Sequence, residues 1–137
     1  MALERTFAII KPDAVRAKNS GKIIDMIEQN GFTIVRMEKL QMLKEKAMSF
    51  YGVHKERPFF GELVDFIVSG QIIVMALEKE NAIKAWRDLM GATDPQKAAE
   101  GTVRKKFGAD IGNNAVHGSD APETAKTELA LFFPDLR

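Results

Sequence analysis

Apolar positions fall into blocks whose spacing changes along the chain. Residues 6–10 form a short β-prone run that stops at Lys11-Pro12, where proline withdraws a backbone donor and fixes its own φ. Ile23, Ile24 and Ile27 share one face of a helix over about residues 22–30, with Ser20 as its cap and Gly31 as its stop. Residues 32–40 alternate weakly and read as a second strand. Leu43, Ala47, Phe50 and Tyr51 return to helical spacing. Phe60, Leu63, Val64 and Ile67 make another helical stripe, with Pro58 in its first turn and Gly70 behind it. Residues 72–77 are continuously apolar, as expected of a central strand covered on both faces. Ala82, Ile83, Trp86, Leu89 and Met90 form the next stripe, closed by Gly91. Asp120 and Glu123 have capping-box spacing for a helix over about residues 121–126, and residues 129–133 read as a last strand.

Four strands with intervening helices predict an α+β sandwich of the ferredoxin-like, split βαβ type: a four-stranded antiparallel sheet with helices packed on it. There is no repeat and no linker, so residues 1–137 are expected to form a single domain. Residues 91–118 stand apart, with at most one short helix near residues 102–107. A loop of that length is a surface excursion, an oligomer contact or a functional segment. It holds Arg104, Asn114 and His117 and begins just after Arg87.

Composition narrows the chemistry. Twenty basic and 19 acidic side chains leave a net charge of +1, which argues against a protein that grips nucleic acid by its backbone. The absence of cysteine removes disulfides, zinc fingers, iron–sulfur clusters and thiol nucleophiles. The two histidines, His54 and His117, are too far apart in sequence to suggest a His-rich metal site. No apolar run approaches the ~20 residues of a membrane span. The N-terminus shows no secretory pattern, so a cytoplasmic protein without membrane partners is expected.

The usual phosphate-handling and hydrolase signatures are missing. Gly21-Lys22 is followed by Ile23 rather than Ser or Thr, and no Gly-x-Gly-x-x-Gly or Gly-x-Ser-x-Gly occurs. What remains lies at element ends. His117 stands between a small apolar step and a helix start, where a neutral imidazole is a competent nucleophile near pH 7, with a reference pKa of about 6.5. The alternative is a satisfied structural histidine. Gly118 beside it clears room for a substrate, while Ser119 and Asp120 are able to cap the next helix. Lys11 at a strand end, Arg87 and Arg104 are either phosphate contacts or solvated charges. Phe59 is either a base-stacking ring or core, and Tyr51 is the only tyrosine.

Together these segments carry a resemblance. Ile10-Lys11-Pro12-Asp13, Phe50-Tyr51, His54-Lys55-Glu56-Arg57-Pro58-Phe59-Phe60, Arg87, Met90-Gly91-Ala92-Thr93-Asp94-Pro95, Gly101-Thr102-Val103-Arg104 and Asn114-Ala115-Val116-His117-Gly118-Ser119-Asp120 occur in this order. The chain resembles nucleoside diphosphate kinases over nearly its whole length. The resemblance implies a ping-pong relay in which His117 takes the γ-phosphate of a nucleoside triphosphate and passes it to a diphosphate. It implies phosphate contacts from Lys11, His54, Arg87, Thr93 and Arg104, with Mg²⁺ carried by the nucleotide rather than by protein ligands. Tyr51 and Lys11 would steady the moving phosphoryl group, and Lys11 and Asn114 would reach the sugar. Ser119 and Glu128 would orient the histidine ring. Phe59 would stack on the base, with Leu63 and Ile111 lining the other side, so base selectivity would be shallow. The family's tetramers or hexamers imply a homo-oligomer. Gln71, where relatives often carry proline, and Gly61, where lysine is common, depart from the pattern outside the matched site.

A non-enzymatic RNA-binding module has the same element order, but it would carry stacking aromatics on its central strands. Here residues 6–10 offer only Phe7, and residues 72–77 offer none.

Overall fold

The computed structural model describes residues 3–52 and 55–136. Strands β1 (Leu3–Ile10), β2 (Thr33–Gln41), β3 (Gln71–Glu80) and β4 (Val116–Gly118) form one antiparallel sheet in the order β2-β3-β1-β4. The helices are α1 (Pro12–Arg16), α2 (Ser20–Gln29), α3 (Lys44–Phe50), α4 (Phe60–Ile67), α5 (Ala82–Met90), α6 (Val103–Phe107) and α7 (Pro122–Phe132). This is the antiparallel α+β sandwich that the apolar pattern predicts.

Successive side chains of a strand point to opposite faces, so one central pair of strands serves two cores. Register pairs Ile10 with Ile73 and Ala8 with Met75. These four join Ile23 and Ile27 of α2 and Trp86 of α5 in one apolar cluster. Ile9 pairs with Val74 and Phe7 with Ala76, and this set meets Ala47 of α3, Val64 and Ile67 of α4 and Phe132 of α7. The uninterrupted apolar run of β3 is thus explained by burial on both faces. Gly31 and Gly91 end α2 and α5 at φ 87°, a left-handed conformation that glycine enters without a Cβ clash.

Several expected boundaries move. Residues 129–133 are not a strand: α7 runs through to Phe132. Their apolar character continues a helical stripe from Ala125 through Leu129 to Phe132, which packs α7 across β1. The fourth strand is instead Val116–Gly118, which has three residues and pairs only with β1. Three residues show no periodicity, so the pattern did not reveal it. Asp120 and Glu123 do not make the capping box. Thr124 Oγ1 accepts from the backbone N–H groups of Asp120 and Ala121 instead. Ser20 lies inside α2, with Asn19 at the cap position, and Pro58 lies before α4 rather than in its first turn. Pro12 does end β1, but it also opens the short helix α1. Among the described residues no helix is long and apolar enough to cross a membrane.

Candidate active site

His117 is the middle residue of β4 and sits opposite Ile9 of β1. Cross-strand partners share a face, so the imidazole lies on the side covered by α3 and α7. The Phe50 ring meets it edge-on, with centroids 5.0 Å apart. His117 Nε2 is 3.2 Å from Glu128 Oε1, and Ser119 Oγ donates to the same oxygen at 2.7 Å. A carboxylate oxygen only accepts, so this contact places the ring proton on Nε2 and leaves the Nδ1 lone pair free. Glu128 is available because it lies two turns into α7, not near a strand start as the sequence reading has it.

The backbone around His117 is held as closely as its ring. Trp86 Nε1 of α5 donates to the His117 carbonyl at 3.1 Å. A Cβ on Gly118 would lie 2.5 Å from Trp86 Cδ1 and 2.7 Å from Met90 Cε. The space that Gly118 clears is therefore filled by α5 and not by a substrate. Gly118→Ala is expected to destabilise the fold by about 1–3 kcal/mol through overpacking. Urea unfolding followed by Trp86 fluorescence would measure it. Just before β4, Val116 N–H donates to the Asn114 carbonyl at 2.9 Å around Ala115, whose φ is 74°. This is a γ-turn of the rare, strained hand.

Cations gather on the adjoining wall. Lys11, directly after β1, donates through Nζ to Asn114 Oδ1 at 3.0 Å, and Asn114 Nδ2 donates to the Thr93 carbonyl at 3.1 Å. Burial pushes the Lys11 ammonium down to about 8; Arg104 pushes the same way, and Asp13 partly offsets both. Arg104 begins α6 beside Val103 and is only 9% exposed. Its guanidinium donates to the Gly91 carbonyl at 3.0 Å and to the Val116 carbonyl at 2.9 Å, bracing the start of β4. Burial, then the neighbouring Arg87, lower its pKa to about 10, so it stays charged at neutral pH. In both cations burial is the largest cause and a neighbouring guanidinium the next.

A cavity of about 500 Å³ connects these groups. Lys11, Tyr51, Phe59, Leu63, Arg87, Thr93, Arg104, His117 and Glu128 line it, as the sequence reading expects of one site. Tyr51 is buried, and its hydroxyl is pushed up to about 12, first by burial and then by the charge of Glu128. It is therefore a neutral hydroxyl across the physiological range. Phe59 is 40% exposed at the mouth. Asn114 and Ser119 are not in this lining; they contact Lys11 and Glu128, which are. Ile111 is 61% exposed and is not part of this lining. His54 lies outside the described residues. Ser49, Asp120, Thr124 and Thr127 also line the cavity; the sequence offers Asp120 only as a helix cap and does not single out the other three. Their polar, mostly exposed character carries no distinguishing pattern.

A sequence model described as "Nucleoside diphosphate kinase" matches residues 4–137. The chain belongs to the nucleoside diphosphate kinase family. A nucleoside diphosphate kinase of Pelobacter propionicus is 60% identical over 96% of both chains. One from Rhodopseudomonas palustris is 57% identical over 97% of this chain and 95% of its own. Among solved structures, the Aquifex aeolicus nucleoside diphosphate kinase is 46% identical and superposes with a TM-score of 0.94 over 96% of each chain. The Halobacterium salinarum kinase, solved in complex with CDP, is 41% identical, with a TM-score of 0.93 over 98% of this chain and 90% of that one. Membership makes the chain an enzyme, a nucleotide-binding kinase of the transferase class.

Proposed function

We propose that this chain, as a single domain, moves the γ-phosphate of a nucleoside triphosphate onto a nucleoside diphosphate through a phosphohistidine at His117. The observation that carries the reading is the contact of His117 Nε2 with Glu128, which Ser119 shares. It leaves Nδ1 as the nucleophile, in a cavity lined by Lys11, Arg87 and Arg104. The Nδ1 lone pair forms a bond to Pγ as the bond from Pγ to the β–γ bridging oxygen breaks. The electron pair leaves with the diphosphate. The return half-reaction reverses these events on a second diphosphate, which gives ping-pong kinetics. Phosphoryl transfer rests mainly on positioning and electrostatic stabilisation, and the cationic wall supplies both.

Lys11 and the Tyr51 hydroxyl would donate to the transferring group. Arg87, Arg104, Thr93 and His54 would hold the remaining phosphates. Lys11 and Asn114 would reach the sugar hydroxyls, so ribo- and deoxyribonucleotides would both be accepted. Phe59 would stack on the base, with Leu63 lining the other side; Ile111 lies outside this cavity lining. Apolar faces read no hydrogen-bond pattern, which supports broad base specificity. Mg²⁺ fits as a cation carried on the phosphates, where it supplies charge neutralisation. No group of three candidate metal ligands occurs among the described residues. Of the two carboxylates lining the cavity, Glu128 is engaged by His117 and Ser119, so Asp120 would be the one free to interact with a nucleotide-bound cation. We also place the protein in the cytoplasm as a homotetramer or homohexamer, without nucleic acid as a main partner.

Incubation with γ-labelled ATP and no acceptor tests the reading. An acid-labile, base-stable phosphoprotein that discharges onto added diphosphate is expected. Nucleotide binding without any transfer of label would favour a regulatory binding module instead.

The depressed Lys11 pKa gives a pH signature. At pH 8 to 9 the free site is partly deprotonated, and an arriving phosphate favours the ammonium. Binding should therefore take up a proton in that window, and affinity should fall as pH rises through about 8. Calorimetric heats of ADP binding, compared between buffers of different ionisation enthalpy, would show the uptake. At pH 6.5 it should vanish.

A further inference from the structure

Asp13 is the second residue of α1, a position where a carboxylate usually serves its own helix end. Here it serves the other end of the chain. Asp13 Oδ2 accepts from the Ala115 backbone N–H at 3.0 Å, while Lys11 N–H donates to the Ala115 carbonyl at 2.8 Å. The segment after β1 thus grips both polar backbone groups of the one residue that stands at φ 74°. Asp13 Oδ1 is buried without a hydrogen-bond partner. A buried carboxylate oxygen left unsatisfied is costly, and a structure that keeps one calls for a reason. The adjacent strained turn supplies it.

The strained turn sets the entry angle of the strand that carries the histidine. Ala115 leads directly into β4, and His117 is two residues on. β4 has three residues at a sheet edge, too few to fix its own register firmly. An alanine released from the left-handed region would relax toward ordinary backbone angles and turn the strand about its entry point. That rotation would carry the imidazole away from Glu128 and from the cavity.

We propose that Asp13 is a positioning residue for His117: its carboxylate holds Ala115 in the strained turn and thereby aims the imidazole. The kinetic part of this inference rests on the kinase reading above; the conformational part does not. Asp13 also supports the Lys11 charge, an influence that falls on phosphate binding and so separates from an effect on ring position.

The test compares the wild-type chain with Asp13→Ala, Asp13→Asn, Ala115→Gly and the Asp13→Ala/Ala115→Gly pair. Three readouts are taken: single-turnover labelling of His117 by ATP, the Kd for ADP, and ¹⁵N NMR of the imidazole nitrogens. Asp13→Ala should slow phosphohistidine formation by ~10- to 100-fold, the size expected of a displaced reacting atom. The Kd for ADP should move far less. The NMR signals should pass from one Nε2-protonated tautomer to a mixture. Asp13→Asn, which keeps an acceptor oxygen, should recover most of the rate. The paired variant should recover it too, because glycine enters the left-handed region without Asp13 to hold it there.

A full rate with a single tautomer in Asp13→Ala would overturn the proposal. So would a loss confined to Kd, or a paired variant as slow as Asp13→Ala. If Asp13→Ala does not fold, the paired variant decides: fast with one tautomer supports the proposal, slow or mixed refutes it. If ATP leaves the wild type unlabelled, the kinase reading fails, and the tautomer comparison still decides the role of Asp13.

Discussion

His117→Ala should lose turnover by at least about four orders of magnitude, because removing a covalent nucleophile eliminates the chemical route itself. Its affinity for nucleotide should survive, since Lys11, Arg87 and Arg104 line the same cavity independently of the imidazole. The fold should survive as well. His117 contributes its backbone carbonyl to Trp86 and its backbone to the β4 pairing, and alanine retains both. Labelled ATP should leave no phosphate on the variant, while calorimetry still shows ADP binding. Label retained on the variant would assign the nucleophile elsewhere, with His54 the only other histidine in the chain.

Arg104→Ala should fail in two ways at once. Its guanidinium faces the cavity and also donates to the carbonyls of Gly91 and Val116. Losing a fixed cation that meets developing phosphoryl charge is expected to lower kcat/KM by ~10²- to 10³-fold. Losing the two backbone contacts leaves one buried and one half-buried carbonyl without its donor, which should lower stability by about 2–4 kcal/mol. Arg104→Lys separates the two effects. It keeps a charge but lacks the planar fork that spans two acceptors, so it should retain more activity than stability. Steady-state kinetics beside urea unfolding would resolve both. An Arg104→Ala chain with normal stability would contradict the bracing role, and one with normal kcat/KM would contradict the phosphate contact.

The bond pattern of Arg104 also shows where sequence reasoning reaches its end. Its chemistry is legible, because a guanidinium in a long loop near Asn114 and His117 is a reasonable phosphate contact. Its use as a strut is not legible, because Gly91 and Val116 become neighbours only on folding. The same holds for Asp13, which meets a residue 102 positions away. The elements were readable wherever burial imposes a period. The stripe of Ala82, Ile83 and Trp86 gave α5, and the unbroken run at residues 72–77 gave β3. They failed where burial is brief or shared. β4 is too short to show a period. The apolar run at residues 129–133 satisfies a strand template as well as the last turn of a helix, and only the crossing of α7 over β1 decides between them. The site residues carried by the family resemblance needed no such decision. Lys11, Tyr51, Phe59, Leu63, Arg87, Thr93, Arg104, His117 and Glu128 meet at one cavity although they come from widely separated segments of the chain.

The sheet order has a consequence for how this protein comes into being. β1 is made before β3 and β4, yet it lies between them in the sheet. At 5–20 residues per second it waits roughly 3.5–14 s for β3 to be completed, and longer for β4. During that interval a largely apolar strand has neither of the neighbours that pair with it in the sheet. The same order separates the two halves of the His117–Glu128 contact in time. His117 arrives with β4, and Glu128 comes later still on the last helix, after the basic wall has already been synthesised. Under the relay proposed above, a nascent chain that stops short of Glu128 would lack the carboxylate that holds the His117 ring.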